Sequence, residues 1–186
     1  MVIDENIQRG CSDSLGGVST FYLFPWQKYT RTQIVLDGQK LITFPTTTIY
    51  KVDVQSVNFT ETASFDGGSV KWDQSFTFDV PKTDVGSQLF ELLKQNYRLI
   101  YTDNISNTRI LGLYNGLESI ITNESGADKA SLNGYRVQMD GLEENQAYWI
   151  DSLTDVGFTV DLNPNNFVLQ NDNNFILQDN NNFIFQ

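Results

Sequence analysis

The side chains that most often carry catalysis at neutral pH are histidine, cysteine and paired carboxylates. This chain has no histidine and one cysteine, Cys11. Zinc sites and histidine-dependent triads are therefore excluded. Cys11 has no imidazole to activate it and reads as a small packed hydrophobe. A single cysteine forms no intrachain disulfide, which fits assembly in a reducing compartment. Carboxylates remain, since paired acids run glycosidases. Among 23 acids, however, chance pairs are guaranteed, and the adjacent couple Glu143-Glu144 falls in a polar stretch. Asp172 and Asp179 sit in Asn-rich turns that lack the charge count of a Ca²⁺ loop. Gly16-Gly17 precedes an apolar run, with no GxGxxG, no GK[ST] and no helix after it, so it reads as a turn and not a phosphate cradle. Trp26, Trp72 and Trp149 are the residue type that lines sugar sites, but in a β-rich chain aromatics belong more often to core or interface. The expectation is a protein that is not an enzyme, with no catalytic residues, no cofactor and no metal.

Composition narrows the class. With 186 residues, 40% of them hydrophobic, the chain is long enough for one domain with a sizeable core plus an appendage. No apolar run approaches a membrane span, and the opening MVIDENIQRG has neither the basic nor the apolar region of a secretory signal. The three Asn-x-Ser/Thr matches, at Asn58, Asn104 and Asn123, then read as chance. The net charge of −11 is uneven: residues 1–136 hold all 12 bases against 15 acids, whereas residues 137–186 hold 8 acids and no base. Tight binding to a phosphate backbone is disfavoured, because it needs clustered Lys and Arg.

The elements read mostly as strands. Val18–Phe24 is the first. Asp37-Gly38 lies between apolar runs, a hairpin signal pairing Thr32–Leu36 with Gln39–Phe44, and Pro25 and Pro45 stand at its feet. Thr32, Ile34, Leu36, Asp37, Gly38 and Leu41 are thus read as an inter-subunit arm, with an ordinary hairpin inside the sheet as the other reading. Thr47–Thr60 and Val70–Val80 flank a turn at Asp66-Gly67-Gly68. Pro81 stops the second strand. Val85, Leu89, Leu92 and Leu93 fall at i, i+4, i+7 and i+8, which predicts one amphipathic helix near residues 84–96 seated on a sheet. Arg98–Asp103 is a further strand. Asn115-Gly116 predicts a hairpin of Arg109–Tyr114 with Leu117–Thr122, and Gly134–Met139 is a strand that Asp140-Gly141 turns. Ala147–Ile150 and Phe158–Leu162 close the body.

Residues 163–186 are a different material. The octads NNFVLQND, NNFILQDN and NNFIFQ recur with Phe167, Phe175 and Phe183 at a period of 8. Three such short strands cannot bury a core alone. Left exposed they are an aggregation hazard, so they are expected to dock on their own body, on a sister subunit or on another protein. Four-residue turns in a flat meander would set Gln170 opposite Phe175 and mix Phe with Gln. A register shifted by one, or stacked layers, instead gathers Phe167, Phe175 and Phe183 with Leu169, Leu177 and Phe185 on one face, and that is the expectation. The residues give a mainly β body with one flanking α-helix (residues 1–162), followed by short C-terminal β repeats (residues 163–186).

Several stretches in order, CSDSLGG (Cys11–Gly17), FTETASFDGGSVKWDQSFTFDV (Phe59–Val80), the flanking helix, RILGLYNGLE (Arg109–Glu118) and GYRVQMDGLEENQAYWI (Gly134–Ile150), resemble tail-tube-like virion proteins of phages infecting Bacteroidetes. The resemblance covers roughly residues 10–150, and the Asn-rich tail departs from a minimal tube protein. It implies a β-sandwich or half-barrel flanked by one helix, and a homo-oligomeric ring, usually hexameric, around a genome delivery channel, within the tail tube or a head-tail connector. Implied partners are other virion tail or connector proteins and genomic DNA passing without specific binding, with no membrane. The implied location is the virion tail, assembled in the bacterial host cytoplasm. The competing class is a β-sandwich recognition module for carbohydrate or a host surface, which predicts a monomer where the first predicts rings.

Overall fold

The computed structural model describes residues 17–52, 54–82, 89–125 and 133–161, together with 178–179 and 182–183. The chain is mainly β. Its body strands are β1 (Val18–Pro25), β2 (Val35–Asp37), β3 (Lys40–Thr43), β4 (Thr47–Val52), β5 (Gln55–Asp66), β6 (Ser69–Pro81), β7 (Tyr97–Asp103), β8 (Thr108–Leu111), β9 (Glu118–Ser125), β10 (Asn133–Glu143), β11 (Tyr148–Ile150) and β12 (Phe158–Asp161). A 3-10 turn spans Phe90–Leu93, and a one-turn helix, α1, spans Leu153–Val156.

Two sheets build the body. One has eight strands in the order β12-β4-β1-β7-β8-β11-β3-β2, the other four in the order β5-β6-β10-β9. They pack face to face. Phe21 and Leu23 of β1 and Leu99 and Tyr101 of β7 meet Phe76, Phe78, Val137 and Met139 of the smaller sheet in one buried cluster. Ring centroids of Phe21 and Phe76 lie 5.0 Å apart. The alternation along each strand is what makes this possible: Gln74, Phe76, Phe78 and Val80 are buried while the residues between them are half-buried or exposed.

The larger sheet is buried on its other face too. Phe24, Ile100, Ile110, Tyr148, Leu41, Ile49 and Phe158, contributed by strands from one sheet edge to the other, join a second cluster. A sheet can gather its whole width into one cluster only by rolling up, the half-barrel of the sequence-based expectation. Its two margins meet where the Phe44 N–H donates to the Val156 carbonyl at 2.8 Å and the Phe44 and Phe158 rings stack at 5.0 Å. No ladder closes the barrel among the described residues. Helix α1 fills the seam. Ser152 caps it through its hydroxyl, and Gly157 ends it at φ +118°, where a Cβ would meet the Phe44 carbonyl oxygen at 2.4 Å.

Several sequence-based expectations need correction. The run Thr47–Thr60 is split between β4 of the eight-stranded sheet and β5 of the four-stranded one. Asn115-Gly116 is not a hairpin turn: β8 belongs to the eight-stranded sheet and β9 to the four-stranded one, so residues 112–117 are a crossing between sheets. Asp140-Gly141 does not turn either. β10 runs through it to Glu143, and glycine is needed there because a Cβ would lie 2.7 Å from the Gly116 carbonyl oxygen. The described part of the flanking helix is the 3-10 turn. With three residues per turn, Leu89 and Leu92 share a face and are buried in the inter-sheet core, whereas Leu93 is turned away and 51% exposed. Val85 lies outside the described residues. In the tail, Gln178 pairs with Phe183 and Asp179 with Asn182. This is the counterpart, one octad later, of Gln170 opposite Phe175, the flat-meander register and not the shifted one. Phe167, Leu169, Phe175, Leu177 and Phe185 lie outside the described residues.

Candidate assembly surface

The four-stranded sheet has the features of a contact surface. Its strands alternate in direction throughout, β5 against β6, β6 against β10 and β10 against β9. Its outer strands, β5 and β9, carry no further ladder among the described residues. An unpaired edge of this length is a template for another strand. The face turned away from the core carries Asn58, Thr60, Thr62, Ser75 and Thr77 together with Asp73, Asp79, Glu118, Glu124 and Asp140, against Lys71 and Arg136. Arg136 ties three strands there, 3.0 Å from Asp79 of β6 and 3.0 Å from Glu124 of β9.

The inner face of the β5–β6 hairpin is longer than the body that covers it. At its base Val57 opposes Phe78 and Phe59 opposes Phe76, packed in the core. Farther out Ala63 opposes Trp72 and Phe65 opposes Val70 on the same face. The neighbouring strand β10 ends at the Glu143–Trp72 pair. Beyond it about three residues of each hairpin strand run on alone, roughly 10 Å of ribbon. Phe65 is 76% exposed and Val70 is 49% exposed. Gly67 and Gly68, both at positive φ, make the tight turn that the sequence signals.

The hairpin read from the sequence as an arm is smaller and docked. Ile34 and Leu41 are buried in the second core of their own chain, and Leu36 packs beside them. Thr32, Asp37 and Gly38 stay exposed. Only Gly38 of the turn pair Gly38-Gln39 has positive φ, so the turn is one residue later than an Asp-Gly type I′ turn would be. The β2–β3 hairpin joins the rest of the sheet through one pair, Lys40 with Trp149, where the Trp149 N–H donates to the Gln39 carbonyl at 2.9 Å.

A buried polar cluster joins the two sheets behind this surface. Gln74 is 1% exposed; its amide donates to Glu61 at 2.9 Å, and its carbonyl accepts from the Gly112 N–H at 3.0 Å. Glu61 also accepts from the Ala147 N–H at 2.7 Å. Glu143 is 4% exposed, and its Oε1 accepts from the Tyr114 and Asn115 N–H groups at 3.0 and 2.8 Å. Burial raises the Glu143 carboxyl above its ordinary range, opposed by those two N–H groups and by Arg98. Glu144 is exposed and pairs with Arg31, so the adjacent acids stand in different environments. Arg98 is the third buried polar residue. It sits in β7, a strand buried on both faces, and its guanidinium lies 5.1 Å from the Tyr29 ring, 5.4 Å from Phe44 and 5.7 Å from Trp26.

The three tryptophans are engaged separately. Trp26 donates to the Tyr114 carbonyl at 3.0 Å, Trp72 lies on the hairpin face, and Trp149 stacks under Arg109 at 3.7 Å. No group of three His, Cys, Asp or Glu among the described residues could hold a metal ion. No helix among the described residues is long and apolar enough to cross a membrane. Sequence reasoning missed the polar cluster, because Gln74 and Arg98 stand in strands without any local motif. A detectable signal was Gln74 on the apolar parity of β6, among Phe76, Phe78 and Val80. Compared with protein-family models, curated proteins and solved structures, the chain matches none.

Proposed function

We propose that this chain is a structural virion subunit of a phage tail tube or connector ring, self-assembling through its four-stranded sheet around the channel that passes the genome. The observation that carries this reading is the strand parity of that sheet. Four alternating strands with unpaired ladder edges on β5 and β9 form an even set. When copies are related by rotation, β9 of one lies antiparallel to β5 of the next, so the alternation continues across every seam and a closed ring leaves no edge. The face directed away from the core would line the channel. Five acids against two bases there give a surface that repels a phosphate backbone, suited to DNA that passes without being held. The uncovered apolar face at Phe65 and Val70 supplies a second contact, along the axis of the ring. Light scattering and negative-stain microscopy of the purified protein test the reading: rings are expected. A chain that stays monomeric at high concentration and is absent from assembled particles overturns it, and favours a recognition module instead.

A further inference from the structure

Arg98 poses a problem that assembly does not answer. Its side chain is 1% exposed, and its Nη1 has no hydrogen-bond partner. Its Nε donates to the Leu113 carbonyl at 2.9 Å and its Nη2 to the Gln27 carbonyl at 2.7 Å. Neither acceptor is charged, and the nearby Glu143 spends its Oε1 on two backbone N–H groups. A buried charge left partly unbonded is costly unless something returns it to water.

Part of its cover is a strap; Trp26 and Phe44, whose rings also face the guanidinium, stay with the body. Between β1 and β2, residues 26–34 belong to no ladder. Trp26 is fixed at the root, its N–H on the Asn96 carbonyl at 2.9 Å and its indole on Tyr114. From Gln27 on, the strap is held by Arg98 on the Gln27 carbonyl, by the Tyr29 ring against Phe44 at 5.1 Å and by Ile34 in the second core. The remaining ties are Arg31 with Glu144 at 3.4 Å, side chains 80% and 73% exposed, and Arg31 over the Tyr114 ring at 5.8 Å; an arginine so exposed contributes little. The strap ends in the β2–β3 hairpin, itself joined to the sheet by one strand pair.

We propose that residues 27–34 are a releasable strap latched by Arg98, opening while the two-sheet body stays folded. Closing buries Tyr29 and Ile34; opening returns the guanidinium to water. The two states are therefore closer in free energy than they would be for a strap laid on an apolar surface. Release loosens the root of the β2–β3 hairpin, which Leu41 and the Lys40–Trp149 pair still hold, and uncovers an arginine whose unbonded edge fits a carboxylate. The proposal stands on this chain alone and does not need the ring.

Thiol labelling measures it. In a Cys11→Ser background, Ile34→Cys reports the strap and Val137→Cys, at 0% exposure in the inter-sheet core, reports the body. Labelling with an aromatic disulfide reagent is expected to be at least tenfold faster at position 34 than at 137. Adding Arg98→Lys, which cannot reach both carbonyls, should raise the rate at 34 at least fivefold and leave that at 137 unchanged. If Arg98→Lys does not fold, Tyr29→Leu takes its place with the same expectation. A common rate at both positions, or a latch variant that moves both together or neither, overturns the proposal.

Discussion

Gly116→Ala separates a hairpin turn from a crossing between sheets. At the tip of a hairpin, an alanine in place of glycine at positive φ costs backbone strain alone, about 1 kcal/mol. Gly67 is such a position: φ is +58° and a Cβ would have nothing within 4 Å. Gly116 has φ +77°, and its Cβ would lie 2.9 Å from two atoms of the Trp26 ring and 3.0 Å from the Asn96 Cβ. Trp26 cannot move aside without losing its hydrogen bond to the Tyr114 carbonyl. Overpacking of this kind adds about 1–3 kcal/mol to the strain, for a total of about 2–4 kcal/mol. In a domain of this size each kcal/mol lowers the Tm by about 2–4 °C. Gly116→Ala should thus lower it by roughly 5–15 °C, and Gly67→Ala by about 3 °C. Urea titration followed by circular dichroism gives the matching free energies. Equal, small losses for both variants would refute the argument and return Asn115-Gly116 to an open turn.

Further outcomes follow from burial and charge. Leu92→Ala should cost about 2–5 kcal/mol, whereas Leu93→Ala, half exposed, should stay within about 0.5 kcal/mol; thermal melting of the pair checks this. Phe65→Ser with Val70→Ser should leave the melting curve of the body in place and weaken self-association at least about tenfold by sedimentation, roughly 1.4 kcal/mol. Glu143 is held above the ordinary carboxylate range by burial, so the folded chain keeps that proton longer than the unfolded chain does. Its contribution to stability is present below the ordinary range and is lost as pH rises through the folded-state value. Glu143→Gln keeps an acceptor for both N–H groups and should flatten that slope in urea titrations run across pH.

The fold was legible where a single face or a local turn decides the matter. The apolar parity of Phe76, Phe78 and Val80 and the Gly67-Gly68 turn read directly as the β5–β6 hairpin. Legibility failed where a residue's role is set by something distant in sequence. Gly141 looks like a turn because no local rule tells that Gly116 presses against it. Asn115-Gly116 carries the same dipeptide as a hairpin, yet Glu143 and Gln74, from the other sheet, hold the backbone N–H groups of that crossing. The helix stripe reads Leu93 as buried because it assumes 3.6 residues per turn; at three, Leu89 and Leu92 keep the buried face and Leu93 leaves it. The assembly surface was half legible. The sequence announces an arm, but not which hairpin overhangs, since that depends on where β10 stops.

The distribution of burial bears on where the proposed association would occur. β7 shows five consecutive buried residues, Tyr97–Tyr101, because the eight-stranded sheet has the smaller sheet on one side and its own rolled interior on the other. That enclosure holds at the centre of the sheet, whereas β2 and β3 at its margin expose Val35 and Ile42. The four-stranded sheet is enclosed on one side only; its other face is polar apart from exposed Ile120 and Leu142, and its ladder edges and overhanging ribbon are further contact sites. Edge pairing satisfies backbone groups that water already satisfies, so the net gain per bond is small, about 0.5–1.5 kcal/mol. A stable assembly therefore needs the apolar ribbon as well as the edge. In the ring proposed above, copies would meet weakly through edges, and burial of Phe65 and Val70 would commit them.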